Sequence, residues 1–594
     1  MYLVMLLISG VISALPLIYS KLFFISWLSM IPLFWICYKE GPRFRYFLMF
    51  GAGYFGLSYH WFAAMYPLDF AGFSKVTGAF AVAVCWIGLA LLQTLWISLS
   101  APLMRLCTPL KNKFGRWIYP VYAAAVWTFI EWTMTKTWLG VPFSRLALTQ
   151  SGCLPMIQSA SVFGSLFISF LIVIVNALLA VGFTAVKTSE KAGDRRQKKS
   201  GVSKASVHAK RSKKLVPGEV PEPAKQRSTV KTMAFSKNLF VIAAAVIIIT
   251  NYSFGIMRMA FYETGGDTVR VAVIQGNISS SEKWENQTAS DALEKYITMS
   301  ETAAEDCDPD IIVWPETVIN VDLTYYESYA ARIEQLAVDT EAVIFAGAFD
   351  GETRYDEEEK RIIDTYNAVY AFFPDGTAAA QPYYKRKLVP FGEYMPMKKV
   401  LSAILPILTD MNLTGSDLTP GTDSNIFETS AGRIGNLICF DSIYEQLARG
   451  SVRDGAQLLV LSTNDSWYGD SSAIAQHHDH AVLRAVETGR YLVRAASTGI
   501  SSVISPIGSA ITALGVNEEG YIYGDVEMKS DMTLFDVFGD VFVLICAVLI
   551  AIAAVMSAVP CIKELFKNLE EKLKNSKEKR KKLCENAESA PKSK

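Results

Sequence analysis

Seven apolar runs crowd the first 260 residues, at 2–19, 22–38, 46–66, 78–102, 117–134, 162–186 and 239–257, and another follows at 540–560. Each is about 17–25 residues long, enough to cross the hydrocarbon core of a bilayer as a helix. A chain built this way cannot hide its apolar surface around one water-solvated core. A polytopic α-helical membrane domain with about eight spans is expected instead. No basic segment precedes the first run and further spans follow it, which argues against a cleaved leader. Composition agrees, with 51% of the 594 residues hydrophobic.

Charge placement gives an orientation. Lys plus Arg equals Asp plus Glu, 57 of each, so net charge excludes no partner. With the N-terminus inside, the cytoplasmic connections are 39–45 (Lys39, Arg43, Arg45), 103–116 (Arg105, Lys111, Lys113, Arg116), 187–238 and the tail. All four are basic, whereas the opposite loops carry only Lys21, Lys75, Lys136 and Arg145. This bias predicts seven spans within 1–260, an outside domain at 268–530, a returning span at 540–560 and a basic cytoplasmic tail at 561–594. The segment "RRQKKSGVSKASVHAKRSKKLVPGEVPEPAKQ" is polar, Lys-rich and Pro-containing. It reads as a loop without fixed structure, and "KNSKEKRKKL" near the end reads the same way. Topology and attraction to anionic headgroups account for these lysines, so no nucleic-acid partner is expected.

The polar domain has a different pattern. "TVRVAVIQG", "DIIVWPE", "AVIFAGAF", "NAVYAFF", "RIGNLICF" and "AQLLVLS" are short runs rich in Val and Ile, bounded by Gly, Pro, Asp or Asn. They read as buried strands. Stretches at helical spacing lie between several of them, at 286–304, 325–339, 442–453 and 473–489. Strands alternating with helices imply an α/β sheet carrying at least one helical layer.

Several of these runs end in, or lead to, a reactive side chain: Glu316 in "IIVWPET", Lys385 and Glu393 in "YYKRKLVPFGEYMP", and Cys439 in "GNLICFDS". A carboxylate, an ammonium and a thiol suffice for acyl transfer. The thiol must lose its proton to attack, a carboxylate can take that proton, and an ammonium can stabilise an oxyanion. Each residue alone has an ordinary reading: a turn glutamate, a solvated lysine, a core cysteine. Nine cysteines are scattered without a C-x-x-C pair, so neither a zinc knuckle nor a disulfide framework is indicated. His477, His478 and His480 form a histidine cluster beside Asp479. Neighbouring histidines point to different helix faces and no second ligand cluster exists, so no metal is expected. Arg484, Glu487 and Arg490 read as a buried polar network. There is no Gly-rich phosphate loop and no G-x-S-x-G elbow, so no cofactor is expected. Residues 393–413, "EYMPMKKVLSAILPILTDMNL", read either as a lipid-touching arm over the pocket or as a buried helix.

The quoted strings, with "AVIQGNISSSEKW" and "STNDSWYGDSSAIAQHHDHAVLRAVETGRYLVRAASTGISSVISPIG", resemble the nitrilase superfamily. The likeness is to its membrane-embedded branch, the apolipoprotein N-acyltransferases, and "HWF" and "LGVPFSRLALTQ" in the membrane domain are similar to that branch too. The resemblance implies an α-β-β-α sandwich on the extracytoplasmic face. It makes Glu316 the general base and acid, Lys385 the oxyanion cation, Cys439 the nucleophile and Glu393 a positioning carboxylate. Trp284, Asn464, Trp467 and Tyr468 match positions near the pocket mouth. One departure follows the nucleophile: Phe440 and Asp441 stand where Tyr and Glu are usual, which puts the contacts to the substrate headgroup in question. The implied reaction is ping-pong acyl transfer from a phospholipid donor, through a cysteine thioester, to the N-terminal amine of a diacylglyceryl apolipoprotein. It would take place at a bacterial inner membrane, with membrane lipid as partner. A membrane-tethered nitrilase-like amidase is an alternative, although tethering needs only one span. A non-catalytic transport or binding protein is another, although few ionisable residues, such as His60 and Glu131, lie within the spans.

Overall fold

The computed structural model describes residues 1–68, 73–136, 140–200, 237–263, 265–279, 282, 288–355, 361–398, 403 and 417–588. Every apolar run in the N-terminal half is helical. The helices are α1 (Tyr2–Ile18), α2 (Ile31–Glu40), α3 (Phe44–Ser58), α4 (Lys75–Ser98), α5 (Ile118–Thr133), α6 (Ser165–Ser200) and α7 (Lys237–Ala260). Five helical segments among the described residues are long and apolar enough to cross a membrane: Ser20–Glu40, Lys75–Arg105, Ser165–Thr184, Asn238–Ala260 and Val541–Lys579. The first of these is broken, a 3₁₀ turn and a short helix leading into α2. α1, α3 and α5 are shorter, at 17, 15 and 16 residues. α1 and α3 pack backbone to backbone. A Cβ on Gly10 would stand 2.0 Å from the Phe50 carbonyl oxygen, and one on Gly53 2.2 Å from that of Leu7. Small residues allow this approach between apolar helices that share little other driving force. Helix α6 runs to Ser200, so the first part of the basic loop is helical rather than irregular.

The polar domain is two sheets between two helical layers. Its strands are β1 (Thr268–Gln275), β2 (Ile311–Val313), β3 (Ile319–Asp322), β4 (Val343–Tyr355), β5 (Arg361–Phe372), β6 (Tyr383–Tyr384), β7 (Phe427–Thr429), β8 (Gly432–Ile438), β9 (Leu458–Thr463), β10 (Leu492–Ala496), β11 (Ser501–Ile504), β12 (Ala510–Leu514) and β13 (Gly520–Glu527). One sheet runs β13-β1-β2-β4-β5-β6 with β3 paired to β4; the other runs β12-β11-β10-β9-β8-β7. Alternation along each strand sorts its residues between layers. In β1, Val271 and Val273 face the second sheet, where they meet Ile434, Val460 and Val493, while Ala272 and Ile274 face the outer helices. Those helices are α8 (Ala289–Cys307) and α9 (Glu327–Asp339).

Against the second sheet lie α10 (Glu445–Arg453) and α11 (Ser472–Thr488). Their far side is not solvent. Leu437, Leu459 and Leu461 of the sheet, Val482 and Leu483 of α11, and Phe143, Leu146 and Ile157 of the N-terminal half belong to one continuous apolar core. The sandwich thus shares its inner helical layer with the membrane domain. The last helix, α12 (Val541–Glu588), packs against α5 and continues well beyond the 540–560 run. The tail expected to be irregular is therefore helical through Glu588, because its apolar residues recur at helical spacing.

Candidate active site

Several chain segments bring charge to one point. β2 ends at Val313, and the Trp314 amide still pairs with the Phe345 carbonyl at 2.8 Å before the chain turns at Pro315 to present Glu316. That turn lies directly on β4. A Cβ on Gly347 would fall 2.3 Å from the Pro315 carbonyl oxygen and 2.9 Å from the Glu316 Cα, so only glycine leaves room there. Lys385 follows β6, its amide held by the Asn367 carbonyl at 2.9 Å. Its Nζ donates to Oε1 of Glu316 and to Oε1 of Glu393, each at 2.8 Å. Asn367 Nδ2 donates to the same two oxygens, at 2.8 and 3.1 Å. The Asn464 amide holds Glu316 Oε2 and the Val389 amide holds Glu393 Oε2, both at 2.8 Å. Every carboxylate oxygen of the pair therefore has a donor.

Cys439 opens the turn after β8 with φ of +46°, a left-handed conformation that a side chain rarely adopts. Three contacts hold it. Asp441 Oδ2 accepts from the Ile438 amide at 3.1 Å, Ser442 Oγ donates to the Cys439 carbonyl at 2.8 Å, and His477 Nε2 lies 3.1 Å from that carbonyl. Glu316, Lys385 and Thr463 are neighbours that act on the Cys439 thiol. Burial would raise the Glu316 carboxyl, but the adjoining Lys385 ammonium outweighs it and holds Glu316 below the usual carboxylate value. Burial also raises Glu393, and wins there. Lys385 is held well above its ordinary value by the two carboxylates, against burial. Burial and then the Glu316 charge push the Cys439 thiol up, and Lys385 offsets this only in part. The resting site is a carboxylate, an ammonium and a protonated thiol, so ionising the thiol requires a base.

A profile described as "Carbon-nitrogen hydrolase" matches residues 270–530, and one described as "Apolipoprotein N-acyltransferase N-terminal domain" matches residues 9–178. The two together span most of the chain, and the site lies within the first. The chain belongs to the apolipoprotein N-acyltransferase family. An apolipoprotein N-acyltransferase of Geobacter metallireducens is 29% identical over 91% of this chain and 92% of its own. One of Gloeobacter violaceus is 26% identical over 88% of each. Among solved structures, Saccharomyces cerevisiae Nit3, a nitrilase superfamily member, is 18% identical over 46% of this chain and 93% of its own, with a TM-score of 0.33.

For this N-acyltransferase family member, the remaining expectations divide. Glu316, Lys385, Cys439 and Glu393 converge, whereas Trp284 lies outside the described residues. Asn464 touches the cluster through its backbone; its side-chain oxygen accepts instead from the Ser466 amide and hydroxyl, at 3.2 and 2.6 Å. Trp467 is half-buried on the following turn. Tyr468 sets its ring edge-on to Trp61 at 5.2 Å and beside Phe143 at 6.0 Å, so the membrane domain forms part of the wall. Asp441 is fully buried and binds the Tyr383 hydroxyl at 2.8 Å and the Lys387 amide at 2.7 Å. It ties the nucleophile turn to the Lys385 loop rather than reaching toward a headgroup, because its carboxylate is consumed by these donors. Phe440 is buried against Tyr444 in the core shared with the membrane domain.

Part of the 393–413 stretch lies outside the described residues. In the part that is described, Met395 packs with Phe391 against Leu68, Ala81, Val82 and Cys85 of the membrane domain. Arg484 and Glu487 are buried 2.8 Å apart, and Arg490 is tied to the Ala456 and Asp531 carbonyls. The histidines are occupied by protein groups: His477 Nδ1 lies 2.8 Å from Asp465 Oδ1, His478 Nε2 3.0 Å from Ser502 Oγ, and His480 Nε2 3.0 Å from the Phe143 carbonyl. Arg494 completes the first of these contacts, 2.8 Å from Asp465 Oδ2. Sequence reading missed Asn367, Asp465 and Arg494. A signal existed for Asn367: it shares the buried strand face with Val369 and Ala371, where a lone amide requires partners.

Proposed function

We propose that this enzyme transfers an acyl chain from a phospholipid to the N-terminal amine of diacylglyceryl-cysteine on apolipoproteins. Glu316 takes the Cys439 proton as sulfur attacks the ester carbonyl. Lys385, with an amide of the Cys439 turn, stabilises the tetrahedral oxyanion. Collapse breaks the ester C–O bond, Glu316 returns the proton to the departing lysophospholipid, and a thioester remains. The amine then attacks the thioester and gives its proton to Glu316. The C–S bond breaks, the thiolate is reprotonated, and an amide is released. Glu393 and Asn367 position Lys385 and Glu316 throughout.

The observation that carries this reading is the union of the ion-paired cluster with a wall built from the membrane domain. Trp61, Phe143 and the Phe391–Met395 contact place acyl-transfer groups beside apolar helices. Both substrates are lipid-anchored, so a site at the bilayer surface gains effective concentration, and excluding water protects the thioester. The apolar runs support eight spans, the loop charges a sandwich on the extracytoplasmic face, and the family likeness a bacterial inner-membrane location. The test is to incubate the purified protein with labelled phospholipid, digest it, and look for acyl on Cys439 by mass spectrometry, then chase with a diacylated lipopeptide. Label on Cys439 that passes to the peptide amine is expected. No label, or loss to water faster than to peptide, overturns the proposal, and a folded Cys439→Ser variant is the control.

A further inference from the structure

Helix α12 spans 48 residues, whereas about 20 suffice to cross the hydrocarbon core. Up to Pro560, one face packs inward through Val543, Cys546, Ile550 and Ala553 while Leu544, Ile545, Val548, Ile552 and Val555 are exposed, as a lipid-facing span requires. Beyond Pro560 the helix continues and every described side chain from Ile562 to Lys579 is exposed. Ile562, Leu565, Phe566, Leu569 and Leu573 form an unpartnered apolar stripe there, within about 100° of the helix circumference.

We propose that this extension is an interfacial helix that lies on the bilayer with its stripe in the acyl–headgroup boundary and its lysines on anionic headgroups. The inference rests on the reading that the first half of α12 crosses the bilayer. Three observations select the lipid surface. The stripe begins two residues beyond the end of the apolar run, continuous with the exposed face of the span. Lys563, Lys574 and Lys577 line one margin of the stripe and Lys572 and Lys579 the other, whereas Glu564, Glu571 and Glu578 lie opposite; Glu570 alone is an acid on a margin. Lysines there can bury their stems and hold their charge at headgroup level. A second copy of the helix is a poorer occupant, because the heptad seam Ile562, Phe566, Leu569 and Leu573 gives way to Ser576 and Arg580 after two heptads, short of the about three to four that a coiled coil sustains. Pro560 has no amide hydrogen and weakens the helix where the extension must bend to lie flat. Left in water, a single amphipathic helix of this length is marginal.

The test is amide hydrogen exchange of the full chain, one copy per lipid nanodisc, in phosphatidylcholine alone and in phosphatidylcholine doped with phosphatidylglycerol. Identical leaflets make the result independent of which face carries the tail. Residues 562–579 are expected to exchange about tenfold more slowly in the anionic discs. A Leu565→Glu/Leu569→Glu variant loses that protection while still acylating Cys439. A Lys563→Gln/Lys572→Gln/Lys574→Gln variant loses the dependence on phosphatidylglycerol. Equal exchange of residues 562–579 in both lipids overturns the proposal, as does protection that appears only with two copies per disc. Fast exchange of residues 541–558 would instead overturn the spanning reading on which it rests.

Discussion

Two clusters of buried charge flank the second sheet, and they are built differently. In the catalytic cluster, one ammonium sits between two carboxylates and each of the four carboxylate oxygens accepts a hydrogen bond. The second cluster joins the two domains. Arg145 of the membrane domain pairs with Glu445 at 3.0 Å, Arg484 stands 3.9 Å from Glu445, and Glu487 accepts from the Ser165 amide at 2.7 Å. Here the fit is loose. Among the described residues, Arg145 Nε, Arg484 Nε and Glu445 Oε1 have no hydrogen-bond partner. The 2.8 Å Arg484–Glu487 pair is close in distance but falls outside hydrogen-bond geometry. A proton-transfer group must be preorganised where charge develops, whereas a clamp need only balance charge across an interface. The first cluster should therefore be sensitive in rate and the second in stability.

The largest effect tests the first half of that statement. Lys385→Met removes the shared cation and leaves two buried carboxylates facing each other. Acylation of Cys439 should fall by at least ~10³-fold, measured by thioester formation on folded protein. A rate within tenfold of wild type would remove Lys385 from the chemistry. Glu393→Gln keeps the shape and the acceptor to Lys385 but gives up one charge and the acceptor to the Val389 amide. A smaller loss, about 10–100-fold in rate with little change in Tm, is expected. A Glu393→Gln variant as inactive as the Lys385 variant would make Glu393 a reacting group instead of a positioning one.

At the interface the signature inverts. Arg145→Met strands Glu445 and should cost about 3–5 kcal/mol of stability, while the folded fraction retains acylation within about tenfold. Adding Glu445→Gln removes the stranded charge and should recover part of that loss, which a double-mutant cycle of thermal unfolding reads directly. Full additivity would show that the pair does not couple the domains.

The two clusters also differ in how visible they were before the fold was known. Glu316, Lys385, Glu393 and Cys439 each sit at the end of a recognisable apolar run or in a turn beside one, so sequence and family resemblance located all four. An α/β sheet with a helical layer followed from Val- and Ile-rich runs alternating with helical stretches, the two-sheet sandwich from the family resemblance, and the expected membrane domain from apolar length and loop charge. Arg145 looked like an isolated loop cation, and nothing local to Glu445 announces a partner 300 positions away. Asp441 was grouped with the substrate contacts because it stands where the resembling family has Glu. Only the register that brings Tyr383 and Lys387 against it shows that its carboxylate is already occupied. Asn367 and Arg494 act across strands that local pattern cannot pair. The tail's helix was hidden by its charge: lysine density suggested disorder, while the stripe from Ile562 to Leu573 is a matter of spacing.

A weaker contact of the same interface sharpens the comparison through pH. Asp479 of α11 accepts a hydrogen bond from Ser151 Oγ of the membrane domain at 2.6 Å. Burial raises its carboxyl to about 7, against the lowering effect of that hydrogen bond. The folded state then holds this proton where the unfolded chain has released it, so the group costs stability as pH climbs from the ordinary aspartate value toward 7. The cost levels off above that. This sign is opposite to that of Glu316, whose lowered value stabilises the fold above the ordinary carboxylate range and loses that contribution only in stronger acid. Asp479→Asn should remove the neutral-range slope. Its Tm ought to exceed that of wild type by about 2–4 °C near pH 8 and match it only near pH 4, with acylation unchanged. If both proteins show the same slope, Asp479 is ionised in the folded state, and the interface tolerates a buried charge that its geometry gives no means to balance.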